Sequence, residues 1–413
     1  MTDAFVLGGT RTPFGRYGGS LSHLRPDDLL GMTMRGACER VGVPLEQIED
    51  IMAGCVNVAH EGLGDVGRWA ALAAGFPDSV AAATINRFCG SSVSATVAIS
   101  HAIMAGELNV GIACGVESMS RSGWAFMKGD APFSPRGPIF LLDTMWAGAG
   151  GPPNPVLLAR NAYISMIETA QNVSDRYELT REEIDAFALR SQHRAAAARD
   201  SGRLAKEIMP VPIPATRKAA ARVFEHDEFI RDDTTAERLA ALPVQAGTTQ
   251  MTAGNSSPLT DGASAVVIAS GEKAAELGVA PLARVVSSAV YALDPLIMGL
   301  APAWAIPLAL KRAGLTPDRV DVWEVHEAFS AQALGVLREL SNQLDGFTIP
   351  DDKLNPNGGA VATGHPFGAS GTRYVLTLAT ELRERKVRYG VTGVCIGSGQ
   401  GIALVLENPE AVA

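Results

Sequence analysis

Charged residues are scarce in this chain of 413 residues, because Asp, Glu, Lys and Arg together make up only 19% of it. The formal net charge is −9, and the Lys and Arg residues are scattered along the sequence. Nucleic-acid binding depends on a concentrated positive surface, so this composition predicts no nucleic-acid partner.

Cysteine is also rare, with five residues and no Cys-x-x-Cys pair. This argues against a disulfide framework and against a zinc site, and it predicts a reducing, cytoplasmic location with no bound metal. The first residues contain no basic stretch followed by a long apolar core, so we expect no signal peptide. We also expect no membrane span, since no run of about 18 apolar residues stands out.

Hydrophobic residues and glycine are abundant. The hydrophobic fraction is 47%, and the chain contains 43 glycines. The length exceeds that of a typical single domain, which predicts two or three packed units. Together these features are typical of a compact α/β enzyme with many tight turns.

Cys89 lies where a chain would place a reactive thiolate. It follows an apolar, β-leaning segment, Val80–Ile85, and precedes a small-residue helix predicted over Val93–Ala105. A helix N-terminus offers unpaired N–H donors and positive dipole charge, which can lower a cysteine pKa to about 3.5–7.5. A buried structural cysteine explains Cys89 alone equally well.

Three further residues with catalytic side chains occur in the second half of the chain. His365 leads into a helix predicted over Thr372–Arg385, Cys395 stands at a Gly-rich turn, and His326 follows the strand-like Val320–Glu324. Each one alone is more often structural. Together with Cys89 they indicate covalent catalysis by a Cys nucleophile with a His base and a second acid/base.

A repeat relates the two ends of the chain. Cys89 leads a helix that is followed by a strand over Glu107–Val116, and His365 leads a helix that is followed by a strand over Val387–Gly397. Two copies of one α/β unit can pack about a pseudo-twofold axis. Their helix starts would then face each other, which would bring Cys89 and His365 into one site.

The middle of the chain differs from both ends. The stretch Ala131–Pro155 is rich in Pro and Gly, and helical patterns follow over Asn161–Tyr177 and Arg181–Asp200. Charged residues concentrate from Lys206 to Arg238. From the residues alone, a solvated insertion explains this segment.

The chain resembles the thiolases, a family of acetyl-CoA acyltransferases. The matching motifs occur in the family's order and span nearly the whole chain: Arg11-Thr12-Pro13-Phe14-Gly15, Asn86 to Ser92, Gly115-Val116-Glu117-Ser118-Met119-Ser120, Thr252-Ala253-Gly254-Asn255-Ser256-Ser257, Asp261-Gly262-Ala263, His326-Glu327-Ala328-Phe329, Gly364-His365-Pro366 and Cys395-Ile396-Gly397.

The resemblance implies an α/β, duplicated thiolase fold, in which two similar βαβ-rich core halves pack in layers beside a loop domain. Residues 1–120 and 248–273 would form the N-terminal half, residues 121–247 the loop domain that covers coenzyme A, and residues 274–413 the C-terminal half. It also implies a homodimer or homotetramer.

The reaction implied is the CoA-dependent, ping-pong thiolysis of a 3-ketoacyl-CoA to acetyl-CoA and a shortened acyl-CoA, and the reverse Claisen condensation. Coenzyme A would be a substrate, and no cofactor would be permanently bound. Cys89 would carry the acyl group, His365 would accept its proton, and Cys395 would act as the acid/base. One oxyanion hole maps to the backbone N–H groups of Cys89 and Gly397, and the other to His365 and a water held by His326.

Two features depart from the pattern of many thiolases. Those enzymes have Asn at the position of His326, and the His-Glu-Ala-Phe form resembles the β-subunit of the trifunctional complex of fatty-acid oxidation. β-Oxidation is therefore an expected role, and a hydratase–dehydrogenase partner subunit stays open. Ser165 replaces the His of short-chain thiolases, which predicts an acyl pocket for more than four carbons. The resemblance places these residues at the CoA and acyl pocket: Arg231, Ala253, Ser257, Met298, Ala328, Phe329 and Met166.

Two other protein classes share parts of this pattern. A condensing enzyme of the β-ketoacyl synthase type would also have a Cys and two His residues on a duplicated fold, but it would lack an acid/base cysteine at the position of Cys395. A non-catalytic CoA- or lipid-binding relative need not keep the reactive set, and here Cys89, His365, Cys395 and His326 are all present.

Overall fold

The structure is a computed structural model that describes residues 2–58, 61–62, 64–125, 141–144, 154–215, 217 and 220–411. Most of the Pro- and Gly-rich stretch at 131–155 therefore lies outside the described residues.

Strands and helices alternate along most of the described chain. The strands are Ala4–Arg11 (β1), Gly15–Arg16 (β2), Asp50–Gly54 (β3), Ala81–Ile85 (β4), Val110–Glu117 (β5), Trp124–Ala125 (β6), Leu142–Asp143 (β7), Val211–Ile213 (β8), Arg222–Phe224 (β9), Thr260–Ser270 (β10), Ala283–Ala292 (β11), Val322–Val325 (β12), Tyr389–Ile396 (β13) and Gln400–Glu407 (β14). The α-helices are Pro26–Val41 (α1), Val66–Ala73 (α2), Ser91–Ala105 (α3), Pro155–Ala159 (α4), Met166–Arg176 (α5), Arg181–Asp200 (α6), Ala236–Ala240 (α7), Gly271–Glu276 (α8), Pro302–Ala313 (α9), Ser330–Gln343 (α10), Ala360–Thr363 (α11) and Phe367–Arg385 (α12). Short 3₁₀ helices cover Leu45–Gln47, Met119–Arg121, Leu204–Lys206, Pro295–Leu300, Pro317–Arg319 and Asp351–Lys353.

The main sheet of the described chain has ten strands and a symmetric order. Its path is β12-β13-β14-β11-β1-β10-β5-β3-β4, and β2 pairs with β10. The outer pairs β12–β13 and β3–β5 are parallel, whereas the inner pairs β13–β14, β14–β11, β1–β10 and β10–β5 are antiparallel. The strands β12, β13, β14 and β11 on one side of the β11–β1 junction thus repeat the pattern of β3, β5, β10 and β1 on the other, and β4 extends the second side. This repeat confirms the predicted duplicated α/β fold.

Helices α3 and α12 form an inner layer and position the site. Their apolar residues share one core cluster with the strands of both halves. A Cβ atom at Gly371 of α12 would collide with the backbone nitrogen of Val93 in α3. Small residues therefore let the two helices approach closely, and this contact brings together the chain segments that precede them.

The outer faces of the sheet carry the remaining core. Helices α1 and α2 pack with strands of the first half, and α9 and α10 pack with strands of the second half. Two-stranded sheets, β6–β7 and β8–β9, lie between β5 and β10 in sequence. The domain boundaries given above stay a prediction.

Several helices begin at other residues than predicted. Helix α12 begins at Phe367 instead of Thr372, and α3 begins at Ser91. The helix predicted from Asn161 begins at Met166, because Ser165 caps it in a capping box with Glu168.

One stretch, Phe88–Ala105, is long and apolar enough to cross a membrane by composition alone. This run contradicts the prediction that no run of about 18 apolar residues occurs. Within the fold, 56% of this stretch is buried, as in a core helix.

Candidate active site

Cys89 lies in a tightly held loop between β4 and α3. Phe88 has a positive φ of 46°, a left-handed conformation that is costly for a residue with a side chain. The loop is fixed by the Ser91 hydroxyl, which donates to the Phe88 carbonyl at 2.6 Å, and by the Asn86 amide, which donates to the Val56 carbonyl at 2.9 Å. These bonds hold the half-buried Cys89 at the start of α3.

The expected low pKa of Cys89 is wrong. Burial raises the pKa of Cys89 to about 12, although the amides of Gly397 and of Cys89 itself partly offset this and the buried Glu117 adds to it. The desolvation of the sulfur outweighs the donors at the helix start. Cys89 therefore needs a base that takes its proton during attack.

His365 offers a free nitrogen for that purpose. Its Nδ1 lies 2.6 Å from the Ser370 hydroxyl, and this hydroxyl donates to the Pro366 carbonyl at 3.0 Å. Ser370 therefore accepts from Nδ1–H, which leaves the buried Nε2 of His365 as an acceptor with no partner among the described residues. Burial, and next the charge of His326, lowers the pKa of His365, so the ring is neutral.

Cys395 and His326 form a second, fully buried pair. The Cys395 Sγ lies 3.3 Å from the His326 Nδ1, and the rings of His326 and His365 are 4.3 Å apart between centroids. Burial, and next the charge of Cys89, raises the pKa of Cys395, whereas burial lowers the pKa of His326 to about 3. The pair is therefore a neutral thiol and a neutral imidazole, and the buried His326 Nε2 has no partner among the described residues.

Gly397 closes the site from the turn after β13. Its amide N–H stabilises a thiolate at Cys89, as a donor for an oxyanion at this position would. A Cβ atom at Gly397 would lie 3.6 Å from the Phe88 ring and 3.8 Å from the Met166 sulfur. The predicted pocket residue Met166 thus lies beside Gly397 at the site.

The other predicted pocket residues divide into two groups. Met298 and Ala328 share a buried apolar cluster with Cys395, against which Phe329 packs, and the Ser257 amide donates to the Ala328 carbonyl at 2.9 Å. In contrast, Ala253 and Arg231 are exposed and lie outside this cluster. The Arg231 backbone N–H donates to the Gln192 side chain. Arg231 lies two residues after Phe229, and the Phe229 ring approaches Gly364, the residue before His365.

Sequence reasoning missed two residues that support the site. Ser370 orients His365. In the sequence, the only sign of this role is that Ser370 lies five residues after His365. The carboxylate of Glu117 accepts N–H bonds from Val56, Asn57 and Gly368 at 2.9–3.1 Å, and thereby joins the two halves beside the site. Burial raises the pKa of Glu117 to about 7 despite these donors. In the sequence, Glu117 could have been noticed as a charged residue at the end of an otherwise apolar strand.

Within the described part of the chain, no group of three His, Cys, Asp or Glu side chains is arranged to hold a metal ion.

Comparison with known families gives two matches that together cover most of the chain. Residues 4–272 match the model of the thiolase N-terminal domain, and residues 279–408 match that of the thiolase C-terminal domain.

Individual proteins are similar over almost their full length. A 3-oxoadipyl-CoA/3-oxo-5,6-dehydrosuberyl-CoA thiolase of Escherichia coli (strain K12) is 45% identical, covering 99% of this chain and 100% of that protein. A beta-ketoadipyl-CoA thiolase of Acinetobacter baylyi is 44% identical with the same coverage. The crystal structure of human mitochondrial 3-ketoacyl-CoA thiolase has a TM-score of 0.90 and 36% identity, covering 98% of this chain and 99% of that one.

Proposed function

The chain belongs to the thiolase family of acyltransferases, and we propose that Cys89, His365 and Cys395 carry out its reaction, the thiolysis of a 3-ketoacyl-CoA. One observation supports these roles above all. Two buried histidines, 4.3 Å apart, each keep an unpartnered Nε2 beside two cysteines. Buried polar groups without partners are rare. A ligand oxygen would accept from the His326 Nε2, and the His365 Nε2 would accept the proton of the Cys89 thiol.

In the first half-reaction, the Cys89 sulfur attacks the ketone carbon of the substrate and its proton passes to the His365 Nε2. The carbon–carbon bond then breaks, the acyl group stays on Cys89 as a thioester, and the electron pair leaves as the acetyl-CoA enolate. The Cys395 thiol protonates this enolate and becomes a thiolate.

In the second half-reaction, the Cys395 thiolate accepts the proton of the incoming CoA thiol. The CoA sulfur attacks the Cys89 thioester and releases the shortened acyl-CoA, and the proton on His365 returns to the Cys89 sulfur. Both anionic oxygens need fixed donors. The amides of Cys89 and Gly397 would serve the acyl oxygen.

The enolate oxygen would be held by the two histidines. We propose the tautomer in which the Cys395 thiol donates to His326 Nδ1 across their 3.3 Å contact, so that the Nε2 of His326 carries the hydrogen and can donate directly. This differs from the expectation that His326 acts through a held water. The pairing of Cys395 with His326 also favours a thiolase over a β-ketoacyl synthase, which would have no cysteine there.

For the substrate, we propose a 3-ketoacyl chain longer than four carbons that ends in a carboxylate, as in the substrate names of the two bacterial relatives. The motivation from Ser165 is indirect, because Ser165 is exposed and serves as the cap of α5. Its hydroxyl accepts from the Glu168 backbone N–H at 3.4 Å and donates to the Glu168 carboxylate at 2.5 Å. Because Ser165 is not bulky, Met166 and its neighbours would determine the size of the acyl pocket.

We expect kcat/KM for 3-oxoadipyl-CoA to exceed that for acetoacetyl-CoA by about tenfold. The 3-oxoadipyl chain adds one methylene and one carboxylate to the acetoacetyl chain. The buried methylene contributes about 0.8 kcal/mol and a hydrogen bond to the carboxylate at least as much, which suffices if that binding is realised in the transition state. The measurement is a thiolysis assay with 3-ketoacyl-CoAs of four to sixteen carbons, with and without a terminal carboxylate. A maximum at acetoacetyl-CoA would contradict the longer pocket, and a preference for uncharged long chains would favour β-oxidation.

We further propose that the chain forms a homodimer or a dimer of dimers in the cytoplasm. Strand β4 is one of the two edges of the main sheet, and an exposed edge is a template for pairing with a second copy. Large apolar side chains are exposed nearby in sequence, with Trp69 at 50% and Phe88 at 42%. A C2 interface would cover both features.

Light scattering should therefore give a mass of at least twice the 43.2 kDa of one chain. The Trp69→Glu variant should weaken the assembly, whereas the control Trp124→Glu, at another exposed Trp, should not. A stable, fully active monomer would refute the proposal. A larger complex with a second polypeptide in cell extracts would instead support a hydratase–dehydrogenase partner.

A further inference from the structure

One buried asparagine holds the residues on both sides of His326. The Val325 N–H donates to the side-chain oxygen of Asn355 at 2.8 Å, and this fixes the orientation of the amide, because a backbone N–H can only donate. The Asn355 Nδ2 therefore donates to the Val325 carbonyl at 2.8 Å and to the Glu327 Oε1 at 2.7 Å. Asn355 thus binds both the residue before His326 and the residue after it.

The other oxygen of the Glu327 carboxylate binds the middle of the chain. The hydroxyl of Ser191, in α6, lies 2.6 Å from the Glu327 Oε2, and its oxygen accepts from the Gly359 N–H at 3.0 Å. The Ser191 hydrogen is therefore donated to the carboxylate. Ser191 and Glu327 are both 1% exposed. Helix α6 lies within residues 121–247, the segment predicted to cover coenzyme A.

The chain segment that leads to His365 packs directly on this pair. The Val361 N–H, four residues before His365, donates to the Glu327 Oε2 at 3.4 Å. A Cβ atom at Gly359 would collide with the Glu327 carboxylate, so only glycine lets the backbone come this close. The segment before His365 is therefore held by the same carboxylate that follows His326.

Both histidines of the site thus depend on one buried hydrogen-bond network. Hydrogen bonds to a carboxylate are among the strong ones, and a buried network whose members are all satisfied is rigid. The His326 and His365 rings lie 4.3 Å apart between centroids, and each would present its Nε2 to the reacting groups. Catalysis requires such groups to keep their geometry, because a displacement of about 1 Å can cost about a hundredfold in rate.

We propose that Ser191 and Glu327 are positioning residues of the thiolase reaction. They hold the two histidines at their working distance and attach both to helix α6. This inference rests on the roles proposed above for His326 and His365. Loss of the Ser191 hydroxyl would leave the Gly359 N–H without its acceptor and the Glu327 Oε2 without its closest donor, which would free the segment before His365 to shift.

The test compares the thiolysis kinetics of Ser191→Ala with those of the parent enzyme. We expect kcat to fall about tenfold because the histidines lose their alignment, whereas KM for coenzyme A should stay within about twofold. The matched control is Thr377→Val. Thr377 is also a buried hydroxyl that donates to a buried carboxylate, that of Glu207, at 2.7 Å. The control should lower the melting temperature by a similar amount and keep the kcat of the parent.

Two partial reactions report on the two histidines separately. In folded Ser191→Ala, alkylation of Cys89 by iodoacetamide should slow, because His365 is the proposed base. Exchange of the α-protons of acetyl-CoA with deuterium should also slow, because His326 holds Cys395. If Ser191→Ala does not fold, Glu327→Gln, which keeps the shape of the side chain, takes its place with the same expected results.

A parent-like kcat in folded Ser191→Ala, or an equal loss of kcat in Thr377→Val, would overturn the inference. Mass spectrometry of the parent enzyme for an acyl group on Cys89 distinguishes this failure from a failure of the proposed function. If the acyl group is absent, the proposed catalytic roles fail. If it is present and Ser191→Ala turns over like the parent, only the positioning role fails.

Discussion

Replacement of Cys89 by serine is expected to lower kcat for thiolysis by about four orders of magnitude or more while coenzyme A still binds. A hydroxyl is far less acidic and less nucleophilic than a thiol, and loss of a covalent nucleophile has effects of about this size. Burial already raises the pKa of Cys89 to about 12, so even the native thiol is rarely ionised at neutral pH. Steady-state thiolysis and calorimetric CoA binding measure the two parts separately.

The control is Cys38→Ser, which changes a buried cysteine in α1 and should retain turnover. A direct test uses the parent enzyme, incubated with a 3-ketoacyl-CoA and no free coenzyme A. The expected result is an acyl group on the peptide that contains Cys89, detected by mass spectrometry. An acyl group found only on another residue, or a Cys89→Ser variant with normal turnover, would reject the nucleophile.

The convergence of the four candidate catalytic residues could be predicted from the sequence. Cys89 and His365 each precede a helix in corresponding parts of a repeat, and the symmetric sheet order then forces their helices α3 and α12 together. Cys395 and His326 come close to each other because their strands, β13 and β12, are neighbours in the same sheet. The residue pattern and the sheet topology suffice to predict this convergence, because the repeat determines which helix starts and strand ends lie side by side.

The electrostatics of the site could not be predicted in the same way. A helix start indicated a low pKa for Cys89, but burial of the sulfur raises this pKa instead. Burial by residues distant in sequence leaves no local signal.

Substitution of Cys395 by alanine is expected to block exchange of the α-protons of acetyl-CoA with solvent deuterium, by about a thousandfold. Loss of a positioned acid/base costs about two to four orders of magnitude. The Cys395 Sγ is the group that the 3.3 Å contact with His326 Nδ1 holds in place for this step. Mass spectrometry or NMR of acetyl-CoA incubated with enzyme in D2O measures the exchange.

Two comparisons make this result specific to the acid/base step. In Cys395→Ala, iodoacetamide should still alkylate Cys89, because His365 and its bond to Ser370 are intact. In His365→Ala, alkylation of Cys89 should slow as well, since the base that takes the thiol proton is removed. Deuterium exchange at the parent rate in a folded Cys395→Ala variant would reject Cys395 as the acid/base, and unhindered alkylation in His365→Ala would remove the argument that His365 activates Cys89.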